Sequence, residues 1–154
     1  MKITVCGSIA FYSEMQTVEK QLIELGHEVK IPELGKESPK EFGGGKVTYF
    51  GGYIEEKGGI DSFGPDHEIW DLKQSAIDDH FKKMEWADAI LIINYEKKGF
   101  EGYVGGNTLI EMGVGYYMKK PLYLLHSVSS ELSYKVEILS MKPVILDGDL
   151  SRIK

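Results

Sequence analysis

The run Ala89-Ile90-Leu91-Ile92-Ile93 contains no polar residue, so a strand built from it has no face to turn towards water. Such a strand must be covered on both sides, as a central strand of a parallel sheet is when helices pack over each face. The residues beyond it narrow the choice further. Past Asn94-Tyr95 lies Gly102-Tyr103-Val104-Gly105-Gly106-Asn107-Thr108-Leu109-Ile110-Glu111-Met112-Gly113. This stretch leads into helical spacing at Leu109, Met112, Val114, Tyr116 and Tyr117, and stops before Lys119-Lys120-Pro121. The glycines therefore fall where a strand hands over to a helix, at the carboxyl edge of the sheet, where ligands bind in open α/β folds. Gly105 and Gly106 hold no side chain between a ligand and the backbone. The N–H groups at the helix start favour an anion or a polar sugar. Glu111 is expected in the first turn of that helix and is the first candidate for chemistry.

The rest of the chain fits the same plan. Lys2 to Cys6 reads as a first strand, with Gly7-Ser8 as its turn. Ser13-Glu14-Met15-Gln16 has the form of a capping box, ahead of a helix with Met15, Val18, Leu22, Ile23 and Leu25 on one face. Gly26 ends it, and His27 to Pro32 forms a second strand. A helix from near Glu68 to Trp86, with Ile69, Leu72, Ala76, Ile77, Phe81 and Met84 inward, precedes the apolar run. Leu122 to Leu125 is a fourth strand, Leu132 to Leu139 a short helix, and Pro143 to Leu146 a fifth strand. Gly148 to Lys154 is a terminal turn or a frayed tail. The βαβ opening predicts a flavodoxin-like or Rossmann-like α/β fold, with a five-stranded parallel sheet flanked by helices. The whole chain reads as one domain, interrupted at about 33–67 by a segment rich in glycine and aromatic residues. That segment is either a lid or binding loop or a mobile excursion, with a small hairpin around Lys46 to Ile54.

Composition excludes several classes of function. The chain has 154 residues, a net charge of −6 and no long basic run, which argues against a nucleic-acid polymer as partner. The single Cys6 excludes an intramolecular disulfide. No stretch is long and apolar enough to span a bilayer, and no signal peptide is evident, so the default location is cytoplasmic. The four histidines show no HxH or HxxxH spacing and no CxxC is present, so no metal is expected. The Gly-Gly stretch is neither a Walker loop nor a GxGxxG after the first strand, so neither ATP nor NAD is supported and no cofactor is expected.

Glu111 has two readings. Thr108-Leu109-Ile110-Glu111 fits the S/T-x-x-E capping box, in which the glutamate only satisfies a backbone N–H. A carboxylate beside Gly105-Gly106, Asn107, Tyr103 and Thr108 equally suits nucleophilic attack at an anomeric carbon, because that reaction passes through an oxocarbenium-like state. It also needs a proton source for the leaving group. Asp78, Asp79 and His80 precede the third strand on one helix, where at most one or two can face a site. Ser8 is either a ligand donor or a turn residue. Cys6 reads as a small buried core residue rather than a nucleophile.

Cys6-Gly7-Ser8-Ile9, Ala87-Asp88-Ala89-Ile90 and Gly105 to Gly113 together resemble the nucleoside 2-deoxyribosyltransferase superfamily. That family includes base-exchanging transferases and hydrolases of nucleoside 5′-monophosphates. The resemblance covers the core and the chain ends but not the glycine-rich insertion. It implies that Glu111 is a nucleophile forming a covalent glycosyl intermediate, with His80 and the adjacent Asp79 at the position of the family's helix aspartate. It implies that Gly7, Ser8 and Ile9 line the sugar or phosphate end. Phe11, Asn94, Gly105, Gly106 and Asn107 complete the expected substrate contacts. Ser129 and Ser130, in the Ser127 to Ser130 loop, are expected near the neighbouring subunit's site in a homodimer. The chain departs from the family at Gly105, where transferases carry aspartate and the hydrolases serine, and at Ala10, where phosphate-specific hydrolases carry arginine. The expected function is cleavage or transfer at the N-glycosidic bond of a nucleoside or nucleotide, leaning towards hydrolysis. The alternative is a nucleotide-binding or sensing module of the same fold.

Overall fold

The structure is a computed structural model that describes residues 1–34, 36–37, 46–47 and 50–154. The chain divides into two compact units, Met1–Pro32 with Lys83–Lys154, and Glu33–Lys82.

The first unit is the parallel α/β body that the apolar run implied. β1 (Lys2–Gly7), β2 (Glu28–Lys30), β5 (Ala89–Ile93), β6 (Leu122–Leu124) and β7 (Val144–Ile145) form one sheet in the order β2-β1-β5-β6-β7, every pair parallel. All five residues of β5 are buried, because helices close both faces of a central parallel strand. The helices are α1 (Tyr12–Glu24), α4 (Gly106–Tyr117) and α5 (Lys135–Ser140). Met15, Val18 and Leu22 of α1 enter the core with Ile3, Val5, Leu91 and Ile93, while Ile23 and Leu25 stay exposed. α4 lies close on the sheet at Gly115, where an added Cβ would come 2.9 Å from Leu122 and 3.2 Å from Ile90. Side chains tie the segment before β5 to its neighbours. The Thr4 hydroxyl donates to the Lys83 carbonyl at 2.7 Å, and Asp88 accepts the Lys2 N–H at 2.7 Å. The terminal segment is a turn rather than a frayed tail: Leu150 and Ile153 are in the core, and the Tyr123 hydroxyl donates to the Lys154 carbonyl at 2.8 Å.

Two expected caps are absent. α1 begins at Tyr12, before Ser13, so Ser13 is already inside the helix and its hydroxyl bonds Glu14 instead. α4 likewise begins before the expected Thr108 cap. Its apolar spacing also partly misled, since Tyr116 and Tyr117 face outwards and the buried positions are Thr108, Glu111, Met112 and Gly115.

The second unit contains β3 (Lys36–Glu37), β4 (Lys46–Val47), α2 (Phe50–Glu56) and α3 (Ile69–Trp86) as far as Lys82. The expected hairpin around Lys46 to Ile54 is not what forms. β4 pairs antiparallel with β3, Lys36 opposite Val47, and the chain is helical from Phe50. Residues 48–49 of that expected hairpin lie outside the described residues. The aromatics make a local cluster. Phe63 packs edge-on against His67 and Trp70, Trp70 Nε1 donates to the Gly64 carbonyl at 2.8 Å, and the Lys73 ammonium sits over the Phe50 ring. No helix among the described residues is long and apolar enough to cross a membrane.

Candidate active site

The sheet order reverses between β1 and β5, so the two strands send their chains to opposite sides and leave a crevice beyond their carboxyl ends. Gly7 and Ile93 are the paired last residues of these strands. Gly7 has φ +154°, and a Cβ there would meet the Ile93 carbonyl at 2.7 Å. Only glycine lets β1 end this close to β5. The Ser8 turn, the loop after β5 and the start of α4 all belong to this edge.

Glu111 is buried there, 5% exposed. Gly105, extended at φ −83° and ψ 170°, is the N-cap of α4, and Leu109 N–H bonds its carbonyl at 2.9 Å. Thr108 is thus the third residue of the helix and Glu111 the sixth, a full turn too deep for a capping glutamate. Gly105-Gly106 turns the chain into the helix earlier than a threonine cap would. The carboxylate points into the protein instead of back to the helix end. Asn107, four residues earlier on the same face, donates Nδ2–H to Glu111 Oε1 at 3.0 Å.

From the other side comes Cys6. Its Sγ is within 4.8 Å of a Glu111 carboxylate oxygen, and the two side chains are hydrogen-bonded. Burial first, then the charge of Glu111 and this hydrogen bond, push the thiol well above its ordinary range. The thiol therefore stays protonated and donates to the carboxylate. The two donors fix the orientation of the glutamate.

A second polar group is built around Ser8. It caps the short 3₁₀ turn Ile9–Phe11, accepting the Ala10 N–H at 3.4 Å. Lys97 Nζ donates to the Ser8 hydroxyl at 2.8 Å and lies 5.6 Å from the centre of the Tyr103 ring. The turn that presents Lys97 is tight. Lys97 and Phe100 exchange backbone hydrogen bonds at 3.1 and 3.0 Å, and Glu96 Oε1 accepts the Gly99 N–H at 2.7 Å. Burial, then the neighbouring charge of Lys98, lowers the Lys97 ammonium from its ordinary value.

No family model matches the chain, and no curated protein matches its sequence. A solved structure does. It is the 2-deoxyribosyltransferase of the psychrotolerant bacterium Bacillus psychrosaccharolyticus, a biocatalyst for nucleoside synthesis. It matches with a TM-score of 0.61 over 100% of this chain and 93% of that one, at 16% identity. The fold is that of a 2-deoxyribosyltransferase. At this identity the likeness concerns the fold, and it agrees with the five-stranded parallel sheet expected from the sequence.

On this 2-deoxyribosyltransferase fold the other expected residues take varied places. Gly7, Ser8, Gly105, Gly106 and Asn107 lie at the carboxyl edge with Glu111, and Ile9 is half-buried beside them. Phe11 is a core residue packed edge-on against Tyr95, with ring centres 5.7 Å apart. Asn94 is fully buried and acts as a bracket, its amide bonding the His126 carbonyl at 2.8 Å and the His126 N–H at 2.9 Å. Ser129 Oγ accepts the Glu131 N–H at 3.2 Å, and Ser130 is exposed. Their loop rests on Gly102, whose φ of +64° and closeness to the Ser127 carbonyl exclude a side chain. Asp79 and His80 lie on α3 in the second unit. Asp79 pairs with Lys82 at 3.5 Å, and His80 is buried. Two residues at the site were not expected from the sequence, Cys6 as a donor to Glu111 and Lys97 as a partner of Ser8. Lys97 does belong to the polar loop after the apolar strand, the same edge that drew attention to the glycines.

Proposed function

We propose that the protein cleaves the N-glycosidic bond of a nucleoside or nucleoside 5′-monophosphate, with Glu111 as the nucleophile. The observation that carries this reading is a buried carboxylate at the switch point that caps no helix and is aimed by Asn107 and Cys6. Glu111 attacks C1′ as the C1′–N bond breaks and its electron pair leaves on the base, which takes up a proton. Water then cleaves the glycosyl ester, releasing the sugar and returning the carboxylate. By resemblance, His80 or Asp79 supplies the proton to the base.

Water is favoured over a second base as acceptor. Transferases of the resembling family carry an aspartate where this chain has Gly105. Here a Cβ at Gly105 would come 3.1 Å from the Tyr103 ring, so an aspartate there would require that ring to shift. The departures at Gly105 and Ala10 favour the second reading, a nucleotide-binding or sensing module without turnover.

The test is base release from a panel of nucleosides and 5′-monophosphates, wild type against Glu111→Gln. Release by wild type alone, from a variant that keeps its melting temperature, is the expected result. Equal release by both proteins sinks the nucleophile assignment. Silence from both, with a nucleotide-dependent rise in melting temperature, selects the binding module.

The reading extends to a homodimer in the cytoplasm. Ile110 and Tyr117, two turns apart on one face of α4, are 57% and 82% exposed, as a subunit contact would require.

A further inference from the structure

We infer that Cys6 is a positioning residue for the second half of the proposed reaction: its thiol, donated to the Glu111 carboxylate, makes that carboxylate the better leaving group when water cleaves the glycosyl ester. The inference rests on the glycosidase reading and adds to it the residue that governs how long the sugar stays on the enzyme.

Three observations carry it. The first is contact. Cys6 Sγ lies within 4.8 Å of a Glu111 carboxylate oxygen and is hydrogen-bonded to that side chain. Cys6 is fully buried and Glu111 nearly so, which strengthens a bond that water would weaken.

The second is placement. Cys6 stands in β1 opposite Ile92 of β5, one residue before the Gly7 that ends the strand. The ladder fixes its backbone, and only one side-chain torsion separates that backbone from the sulfur, so the donor sits on a rigid element. It reaches the carboxylate from the sheet, whereas Asn107 donates to Oε1 at 3.0 Å from one turn earlier in α4.

The third is donor strength. A thiol is a weak donor. The charge on Glu111 disappears as the carboxylate attacks C1′ and returns as the ester breaks. Every donor aimed at it therefore opposes the first step and favours the second. In that second step the oxygen of water bonds to C1′, the C1′–O bond to Glu111 breaks with its electron pair on the carboxylate, and the proton of the water passes to solvent. A thiol hinders the attack little and still steadies the returning charge. A serine hydroxyl in its place donates more strongly and blunts the nucleophile. An alanine leaves the departing carboxylate with one donor fewer.

The experiment has two arms. In the first, wild type, Cys6→Ala and Cys6→Ser are saturated with a substrate from which wild type releases base, quenched in acid and weighed as intact protein. Cys6→Ala should raise the ratio of sugar-bearing to free enzyme on the order of 10-fold, with kcat/KM no lower than that of wild type. Cys6→Ser should return the ratio to the wild-type level or below it, at a reduced kcat/KM. A packing role for Cys6 would instead lower kcat/KM in Cys6→Ala and leave the ratio where it was. An unchanged ratio in Cys6→Ala, absence of adduct from both proteins included, overturns the proposal, while base release by wild type keeps the glycosidase reading standing. No base release from any protein overturns that reading and the proposal with it. If Cys6→Ala does not fold, Cys6→Ser decides: a fall in kcat/KM without a rise in the ratio supports the proposal, and any other result overturns it. The second arm needs no turnover. Cys6 is the only cysteine of the chain, so the S–H stretching band in the infrared spectrum belongs to it alone. That band should move to higher frequency in Glu111→Gln, whose acceptor has lost its charge. A band at the same position in both proteins overturns the proposal whether or not base is released.

Discussion

The Cys6 thiol keeps its proton in the folded chain, because burial and then Glu111 raise its pKa well above the ordinary 9.0. Unfolded, it titrates near that ordinary value. The native state therefore holds a proton that the unfolded state loses, so the stabilisation is complete below about pH 9 and is lost as pH rises. Melting curves should fall more steeply above pH 9 for wild type than for Cys6→Ser, whose hydroxyl keeps the donor without titrating there. Identical alkaline slopes would show that the thiol does not set this dependence. Glu111→Gln is expected to lower base release on the order of 10³-fold or more. Its melting temperature should move by only about 3 °C, as for a loss near 1 kcal/mol. A larger shift means the carboxylate has a structural role. Of these residues the sequence singled out Glu111 with Asn107 and the glycines beside it, but not Cys6. The S/T-x-x-E spacing of Glu111 imitates a cap, and only the earlier start at Gly105 excludes that reading. Cys6 could not be placed, since its contact with Glu111 spans more than a hundred positions and leaves no local pattern.

Among the elements, the loop from Gly102 to Gly105 is fixed at both ends. Gly102 lies under the Ser127 carbonyl and Gly105 begins α4, while the Tyr134 hydroxyl donates to the Val104 carbonyl between them. Gly102→Ala must shift the backbone of the Ser127 loop, and a cost of about 2–4 kcal/mol is expected. Gly99 is a control. It too has positive φ, +81°, but nothing lies within 4 Å of an added Cβ, so Gly99→Ala should cost only about 1 kcal/mol. Equal costs in urea denaturation would show that the Ser127 contact is unimportant. Elements of this body were legible wherever burial is two-sided or periodic, as in β5 and α1. The pairing of β3 with β4 was not, because two-residue strands of mixed polarity carry no period and their register is set across the intervening chain.

For the whole molecule, a dimer predicts a light-scattering mass twice that of the chain, and Tyr117→Glu should return it to a monomer. A wild-type protein that is monomeric at micromolar concentration would leave the exposed face of α4 without that partner. Fold class was the most readable feature at this scale, since an apolar strand between two helices admits few arrangements. The second unit was the least readable, its glycines and aromatics being compatible with a loop as well as with the short helix and aromatic cluster it forms. The sheet order also has a consequence for synthesis. β1 and β2 can pair as soon as α1 has been made, but the other edge of β1 waits for β5, with Ile3 meeting Ala89. About 60 residues must be translated in between, which at ribosomal speeds leaves an apolar strand edge open for roughly 3–12 s. The nascent chain is most prone to aggregation, and to capture by a chaperone, during that interval, and slow codons between β2 and β5 would lengthen it.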